Sequence, residues 1–240
     1  MKHSVVFFLL IFLSLTGGQS ALAVQGSEEL VAPELLAPIS VNIPPAIEHL
    51  VRESDMATVK LRLDRTGRVV DWVPLELPHY RLAGPLEVAL KAARFSPAMV
   101  DGQPVSIDIT GVINIGQGGR IGVQSVTVSD FIGGRMDYMG ARPNRLIISS
   151  EDDLDEPLRV INRGQARAVK SESGEILKGQ VWVEFYIGPE GHPRMVRPED
   201  SGQPALEQAA RLTVEEFDFN PPLSRGIPTV VKARILVVFS

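Results

Sequence analysis

The sequence holds few side chains that are suited to acid-base or metal chemistry. It has four histidines and no cysteine, which excludes thiol catalysis, disulfides and cysteine-ligated metals. No two histidines stand four residues apart, as in a zinc-binding helix, and neither a Gly-x-Ser-x-Gly nor a phosphate-loop motif occurs. His79 and His192 fall in a predicted loop and a predicted turn, where a titrating surface imidazole is expected. We therefore predict a protein that is not an enzyme, with no catalytic residue, metal site or cofactor.

An acidic cluster near the middle of the chain suggests calcium as an alternative. It comprises Glu151, Asp152, Asp153, Asp155 and Glu156. A calcium loop needs oxygen ligands at alternating positions around a central glycine, and this segment lacks them. We interpret the cluster as a solvated acidic linker. A hydrolase, the third class of function, would require a cleft with a perturbed carboxylate, which sequence alone does not reveal.

Three aromatic residues in predicted strands give a further candidate site. Trp72, Trp182 and Tyr186 could form an outer aromatic patch for a ligand. Cross-strand aromatic pairing is the alternative interpretation.

The first residues have the pattern of a secretory signal. Lys2 precedes an apolar run from Val5 to Leu13, and a small-x-small triplet ends at Ala23. We predict cleavage after Ala23 and a periplasmic protein; the alternative, an uncleaved membrane anchor, would need a longer apolar run. The net charge of -5, without a basic run, gives no reason to expect nucleic acid or an anionic membrane surface as a partner.

A stretch from Gly179 to Ser240 resembles an earlier one, from Ala57 to Ile115, at an offset of 124 residues (191 minus 67). Many of the identical residues are Gly or Pro, which determine backbone geometry, so the same turns are predicted between the same elements. The matched pairs are Val59 and Val183, Gly67 and Gly191, Pro74 and Pro198, Leu82 and Leu206, Phe95 and Phe219, Pro97 and Pro221, Gly102 and Gly226, and Pro104 and Pro228.

Both copies have the same predicted order of elements. Apolar and polar residues alternate on either side of the shared turn glycine, which predicts a hairpin, and a helical stripe and a long strand follow. A glycine-rich connection between the copies contains short β-prone pieces that could extend the first sheet. The predicted class is α+β, with two small domains that are each a β-β-α-β antiparallel sheet with a helix on one face. The predicted segments are a signal peptide at 1–23, a Pro-containing tether at 24–45, domain 1 at 46–115, a Gly-rich then acidic linker at 116–156 and domain 2 at 157–240.

This order of elements resembles the C-terminal domain of TonB-family proteins. The resemblance is carried by the turn glycines, by the triplets Phe95-Ser96-Pro97 and Phe219-Asn220-Pro221 after the helices, and by Gly102-Gln103-Pro104 and Gly226-Ile227-Pro228 before the last strands. It implies a three-stranded antiparallel sheet with helices on one face. It further implies that the last strand is an exposed edge where partner segments add by main-chain pairing. An energy-transducing TonB also needs an uncleaved membrane helix and a long Pro-rich spacer. We identify neither here, so we expect an accessory to TonB-dependent transport.

The long last strand is therefore the predicted binding site. An unpaired strand edge exposes N–H and C=O groups that can template another strand. The candidate partner-binding residues are Val230, Lys232, Arg234, Leu236 and Val238. Lys232 and Arg234 could equally protect the edge from aggregation, and self-pairing into a homodimer would use the same groups. The predicted partner is an envelope protein or an extended peptide, such as a segment of an outer-membrane transporter or of a TonB-system component. The alternative function is a structural envelope module without a transport role.

Overall fold

The structure is a computed structural model that describes residues 30–52, 55–115, 120–127 (backbone only), 145–164, 168–171 and 174–240. The predicted signal peptide and its cleavage site lie outside the described residues. The helices are α1 (Pro45–Glu48), α2 (Ala83–Ala92) and α3 (Pro204–Glu215), with 3-10 turns at Tyr80–Leu82 and Glu151–Asp153. The strands are β1 (Leu30–Val31), β2 (Ile39–Ser40), β3 (Asp55–Leu63), β4 (Val69–Leu77), β5 (Ala98–Val100), β6 (Gln103–Val105), β7 (Ile107–Ile115), β8 (Arg120–Thr127), β9 (Leu146–Ser149), β10 (Val160–Asn162), β11 (Gly179–Ile187), β12 (Pro193–Pro198), β13 (Asp218–Phe219), β14 (Leu223–Ser224), β15 (Ile227–Pro228) and β16 (Val230–Phe239).

One nine-stranded sheet runs through both copies of the repeat. Its order is β12-β11-β16-β9-β4-β3-β7-β8-β2, and its pairs are antiparallel except β16 with β9, which is parallel. The predicted α+β class is confirmed. The connection between the copies contributes β8 and β9 to this sheet, so it does more than link two separate sheets.

The two hairpins have the same register at the offset found in the sequence. Val59 lies opposite Pro74 and Gly111, and Val183 lies opposite Pro198 and Ile235. Each hairpin also has a bulge shortly before its turn. A bulge adds a residue to one strand and increases the local twist. The repeat therefore extends to strand pairing, although few residues of these strands are identical.

The shared turn glycines are required for two reasons, their backbone conformation and a close contact. Gly67 and Gly191 have φ angles of +77° and +89°, which favour glycine. A Cβ atom on Gly67 would lie 2.0 Å from the carbonyl oxygen of Phe95, and one on Gly191 would lie 2.1 Å from that of Phe219. The Phe amides donate back to the glycine carbonyls at 3.0 and 2.9 Å. This close contact with backbone atoms explains why the glycine recurs, whereas the phenylalanine recurs as a buried residue of each core.

Helices α2 and α3 pack against opposite faces of the sheet. Leu86 and Leu90 of α2 lie in one core, and Leu206 and Val214 of α3 lie in the other. Strand β11 serves both cores, because Phe185 and Ile187 belong to the α3 core whereas Tyr186 between them belongs to the α2 core. Successive side chains of a strand point to opposite faces. A helix on one face of each repeat therefore gives a combined sheet that is covered on both faces.

Polar contacts join the first repeat to strand β12 of the second. The Met195 amide donates to Asp71 Oδ2 at 2.6 Å, and Arg62 Nη1 donates to the Val196 carbonyl at 2.9 Å. Met195 is buried and has a φ of +54°, a conformation that is uncommon for a residue with a side chain. The neighbouring repeat thus stabilises the bulged backbone of β12.

The predicted tether, the predicted linker and the start of predicted domain 2 also form ordered contacts. Glu34 N donates to Ser96 Oγ at 2.8 Å, and Arg159 N donates to Asn220 Oδ1 at 2.6 Å. In each repeat, the segment that precedes the first strand is thus hydrogen-bonded to the residue that follows the shared phenylalanine. Asp155 accepts hydrogen bonds from the amides of Arg225 and Gly226 at 2.7 and 2.6 Å. Solvation alone therefore does not describe the acidic cluster, because Asp155 stabilises the turn before β16.

Gly191→Ala should destabilise the protein by about 2–4 kcal/mol, since it adds both backbone strain and a steric clash. Urea unfolding measures the change. Gly174→Ala is the matched control, because Gly174 has a φ of +87° but open space at its Cβ position, and it should cost only about 1 kcal/mol. Equal losses for the two variants would contradict the role of the contact with Phe219.

Candidate functional site

The last strand is paired on both sides only at its beginning. Strand β11 pairs with β16 from Val231 to Phe239. On the other side, β9 pairs only with Val230 and Val231. The strand therefore lies inside the sheet order, and the expectation of a fully exposed edge is corrected at its first two residues. From Lys232 to Phe239 no strand pairs with this second side within the described part of the chain.

The predicted binding residues differ in their availability. Val230 is fully buried in the α2 core and pairs with Ile148, so it is removed from the candidate site. Lys232 forms an ion pair with Glu184 at 3.2 Å. The remaining three, Arg234, Leu236 and Val238, lie on the same face along the open part of the strand, and Val238 is 53% exposed.

Arg234 is held in place by two neighbours. Its guanidinium lies 4.3 Å from the ring centroid of Trp182 and within 2.7 Å of the Glu199 carboxylate. Both contacts engage the guanidinium within the chain, as expected for a residue that protects the strand edge from aggregation. Trp182 is 42% exposed, whereas Trp72 and Tyr186 are buried. The three aromatic residues therefore do not form one outer patch.

An apolar groove of about 310 Å³ lies beside the open part of β16. One wall is formed by Ile235, Leu236, Val237 and Val238. Segment 160–164 and the end of α3 supply the rest. The residues that line the groove outside β16 are Val160, Arg163, Gly164, Thr213 and Phe217. The open main chain and the groove together could accommodate an extended segment, with backbone pairing on one side and side chains in the groove.

The wall of segment 160–164 is fixed by close packing. Val160 pairs with Phe219, and a Cβ atom on Gly164 would lie only 2.1 Å from the Thr213 carbonyl oxygen. The segment therefore lies directly against α3, and the groove is formed before any partner binds. Sequence reasoning did not identify this wall. Leu35 forms a similar bridge with Phe95 in the first repeat, but this likeness is visible only in the structure.

A second cavity, of about 330 Å³, lies between the repeats. It is lined by Trp72, Pro74, Ala83, Gly84, Glu87, Gly188, Pro189, Glu190 and Arg194. Desolvation acts to lower the pKa of Arg194, but its hydrogen bond to Glu190 and the charges of Glu190, Asp71 and Glu87 raise the pKa overall. The Lys91 ammonium lowers the pKa of Glu87 against the effect of desolvation. Both groups are thus held in their charged forms, and Glu87 does not have the raised pKa of a general acid.

His79 is buried, contrary to the prediction of a titrating surface imidazole. Its Nδ1 accepts a hydrogen bond from the Arg81 amide at 3.1 Å and begins the 3-10 turn. Desolvation lowers the pKa of His79, and the charges of Arg81 and His49 lower it further. His192 is exposed and lies 2.9 Å from Asp218 Oδ1. Each of the two histidines thus contributes to local structure.

Within the ranges that the structure covers, no group of three or more His, Asp or Glu residues is arranged to hold a metal ion. The helices among these residues are too short or too polar to cross a membrane.

Comparison of the chain with protein-family models, with curated proteins and with solved structures gave no match.

Protonation of His79 should weaken the fold. Because its pKa is lowered in the native state, the unfolded chain binds the proton more readily, and stability falls as pH decreases from above 6.5 through the native pKa. His79→Asn, which retains an acceptor for the Arg81 amide, should show a smaller loss of unfolding free energy between pH 7.5 and 5.5. Urea titrations at several pH values measure the two slopes. Identical slopes would contradict the account.

Proposed function

We propose that this protein is a non-catalytic, periplasmic member of the TonB family, built from two TonB-C-terminal-like domains, that binds an extended segment of a partner protein by strand addition. The partner adds to the open side of β16, from Lys232 to Phe239, and the protein acts as an accessory to TonB-dependent transport. The observation that carries this proposal is the strand's pairing among the described residues: it runs from Val231 to Phe239 on the β11 side but is limited to Val230 and Val231 on the β9 side.

Unpaired main-chain groups are the first support. In a strand, alternate residues direct their N–H and C=O groups to opposite sides. Residues from Lys232 onward therefore direct half of these groups away from β11. A row of such groups beside an ordered strand is the usual template for strand addition.

The groove is the second support. A strand that pairs with β16 would lie about 4.8 Å from it, and every second side chain would point toward α3. Val160 and Phe217 form an apolar floor there, and Phe217 is almost fully buried in it, with 7% of its surface exposed. Main-chain bonds would supply affinity, and the groove would select the side chains at alternate positions.

The face of the sheet is a less suitable place for a partner. Strand β11 is covered on both faces from Phe185 to Ile187, because Tyr186 lies in the α2 core and its two neighbours lie in the α3 core. Trp182 is already in contact with Arg234. An incoming segment therefore meets, at the side of β16, main-chain groups with which no described strand pairs, and binding there requires no rearrangement of a core.

A structural envelope module without a transport role is the second candidate. It is favoured by the contacts of Asp71 with Met195 and of Arg62 with Val196, which fasten the repeats to each other. Limited proteolysis between residues 116 and 150 distinguishes the candidates: two stable, separate halves would argue against a module that depends on this packing.

A pair of proline substitutions tests strand addition. Ile235→Pro and Leu236→Pro remove neighbouring amides, which point to opposite sides of β16. One variant should break pairing with β11 and lower stability by about 3 kcal/mol or more. The other removes only an outward amide and should remain folded, as prolines at strand edges do.

The variant that remains folded should lose capture of extended peptides. Capture is measured with the mature chain, residues 24–240, against a phage-displayed library of random nonapeptides, and folding is checked by circular dichroism. If this folded variant captures the same peptides as the unsubstituted protein, strand addition at β16 is refuted.

A further inference from the structure

The groove beside β16 has a cation at its rim. Arg163 lines the groove together with Val160 and Phe217 and is exposed. Among the described residues, its guanidinium lies within 4.0 Å of no carboxylate. The cations on β16 differ, since Lys232 is paired with Glu184 and Arg234 with Glu199.

The nearest part of α3 does not neutralise this charge. Glu216 follows α3, and a Cβ atom on Gly164 would lie 2.9 Å from its Cβ atom, yet no ion pair with Arg163 forms. Glu215 is paired with Arg211 at 3.0 Å. The groove thus combines an apolar floor with a guanidinium that has no carboxylate partner among the described residues, although the whole chain has a net charge of -5.

We propose that the segment bound at β16 is acidic: an extended peptide with apolar side chains at alternate positions and a carboxylate that contacts Arg163. This inference rests on the proposed function and specifies its partner. The apolar side chains enter the groove between β16 and α3. The carboxylate forms a charge-assisted hydrogen bond with the guanidinium.

Charge complementarity argues against a second copy of the chain as the occupant. The last strand, Val230–Phe239, contains Lys232 and Arg234 but no Asp or Glu. If a second copy contributed this strand, it would bring cations and apolar groups toward Arg163. Like charges placed across an interface oppose association. An acidic segment matches both properties of the groove, whereas β16 of another copy matches only its apolar part.

Selection from the nonapeptide library tests the specificity. Peptides captured by the mature chain should combine alternating apolar residues with Asp or Glu. Arg163→Glu should reverse this preference toward Lys or Arg, and an individual acidic peptide should bind roughly tenfold more weakly, since an attraction is replaced by a repulsion. Arg197→Glu is the matched control, because Arg197 is an exposed guanidinium on the outer strand β12, and it should leave the acidic preference unchanged.

The outcomes separate the inference from the proposed function. Peptides that depend on the open edge of β16 but show no acidic preference, or the same preference in Arg163→Glu, would refute the acidic partner and leave strand addition intact. Peptides that still bind the folded proline variant would refute strand addition itself. If sedimentation shows that the free protein dimerises through β16, the occupant is a second copy and the acidic partner is wrong.

Discussion

The short parallel pairing between β9 and β16 is the constraint on which the rest of the structure depends. Strand β9 has four residues; Leu146 and Ile147 pair with β4 of the first repeat, and Ile148 and Ser149 pair with Val230 and Val231. Without β9, the two repeats would have separate sheets. Because β9 then ends at a 3-10 turn, Glu151–Asp153, no strand in the described ranges pairs with the second side of the rest of β16. The same four residues thus join the two repeats into one sheet. Because they are so few, they pair with only the first two residues of β16, and the candidate site lies along the rest of that strand.

The pairing also decides which faces are buried. Since Ile148 pairs in register with Val230, the latter joins the α2 core, and helix α3 must cover the opposite face of β16. Both faces of the second repeat are therefore partly occupied near the joint. Beyond the joint, the side of the strand and the groove beneath it remain accessible, together with a half-exposed face where Arg234 contacts Trp182. This geometry favours a partner that supplies a strand over one that docks a helix or a flat surface.

Much of the repeat could be predicted from the sequence, because its turns depend on residues with special geometry. Gly191 recurs because a side chain there would collide with the backbone of Phe219, and Phe219 recurs because its ring fills the core. Apolar alternation predicted the strands of each hairpin. The continuity of the sheet could not be predicted. Parallel pairing over two residues leaves no periodic pattern, and Leu146–Ser149 is too short to indicate its partner. The groove was equally hidden, since Gly164 and Arg163 acquire their roles only from contact with α3.

Amide hydrogen exchange along β16, measured by NMR on the free protein, tests the central claim most directly. If one side of the strand is open beyond β9, exchange from Ala233 to Phe239 should alternate: amides that bond to β11 exchange slowly, and the amides between them exchange fast. Uniformly slow exchange over these residues would mean that the second side is already hydrogen-bonded, and the proposed site would not exist.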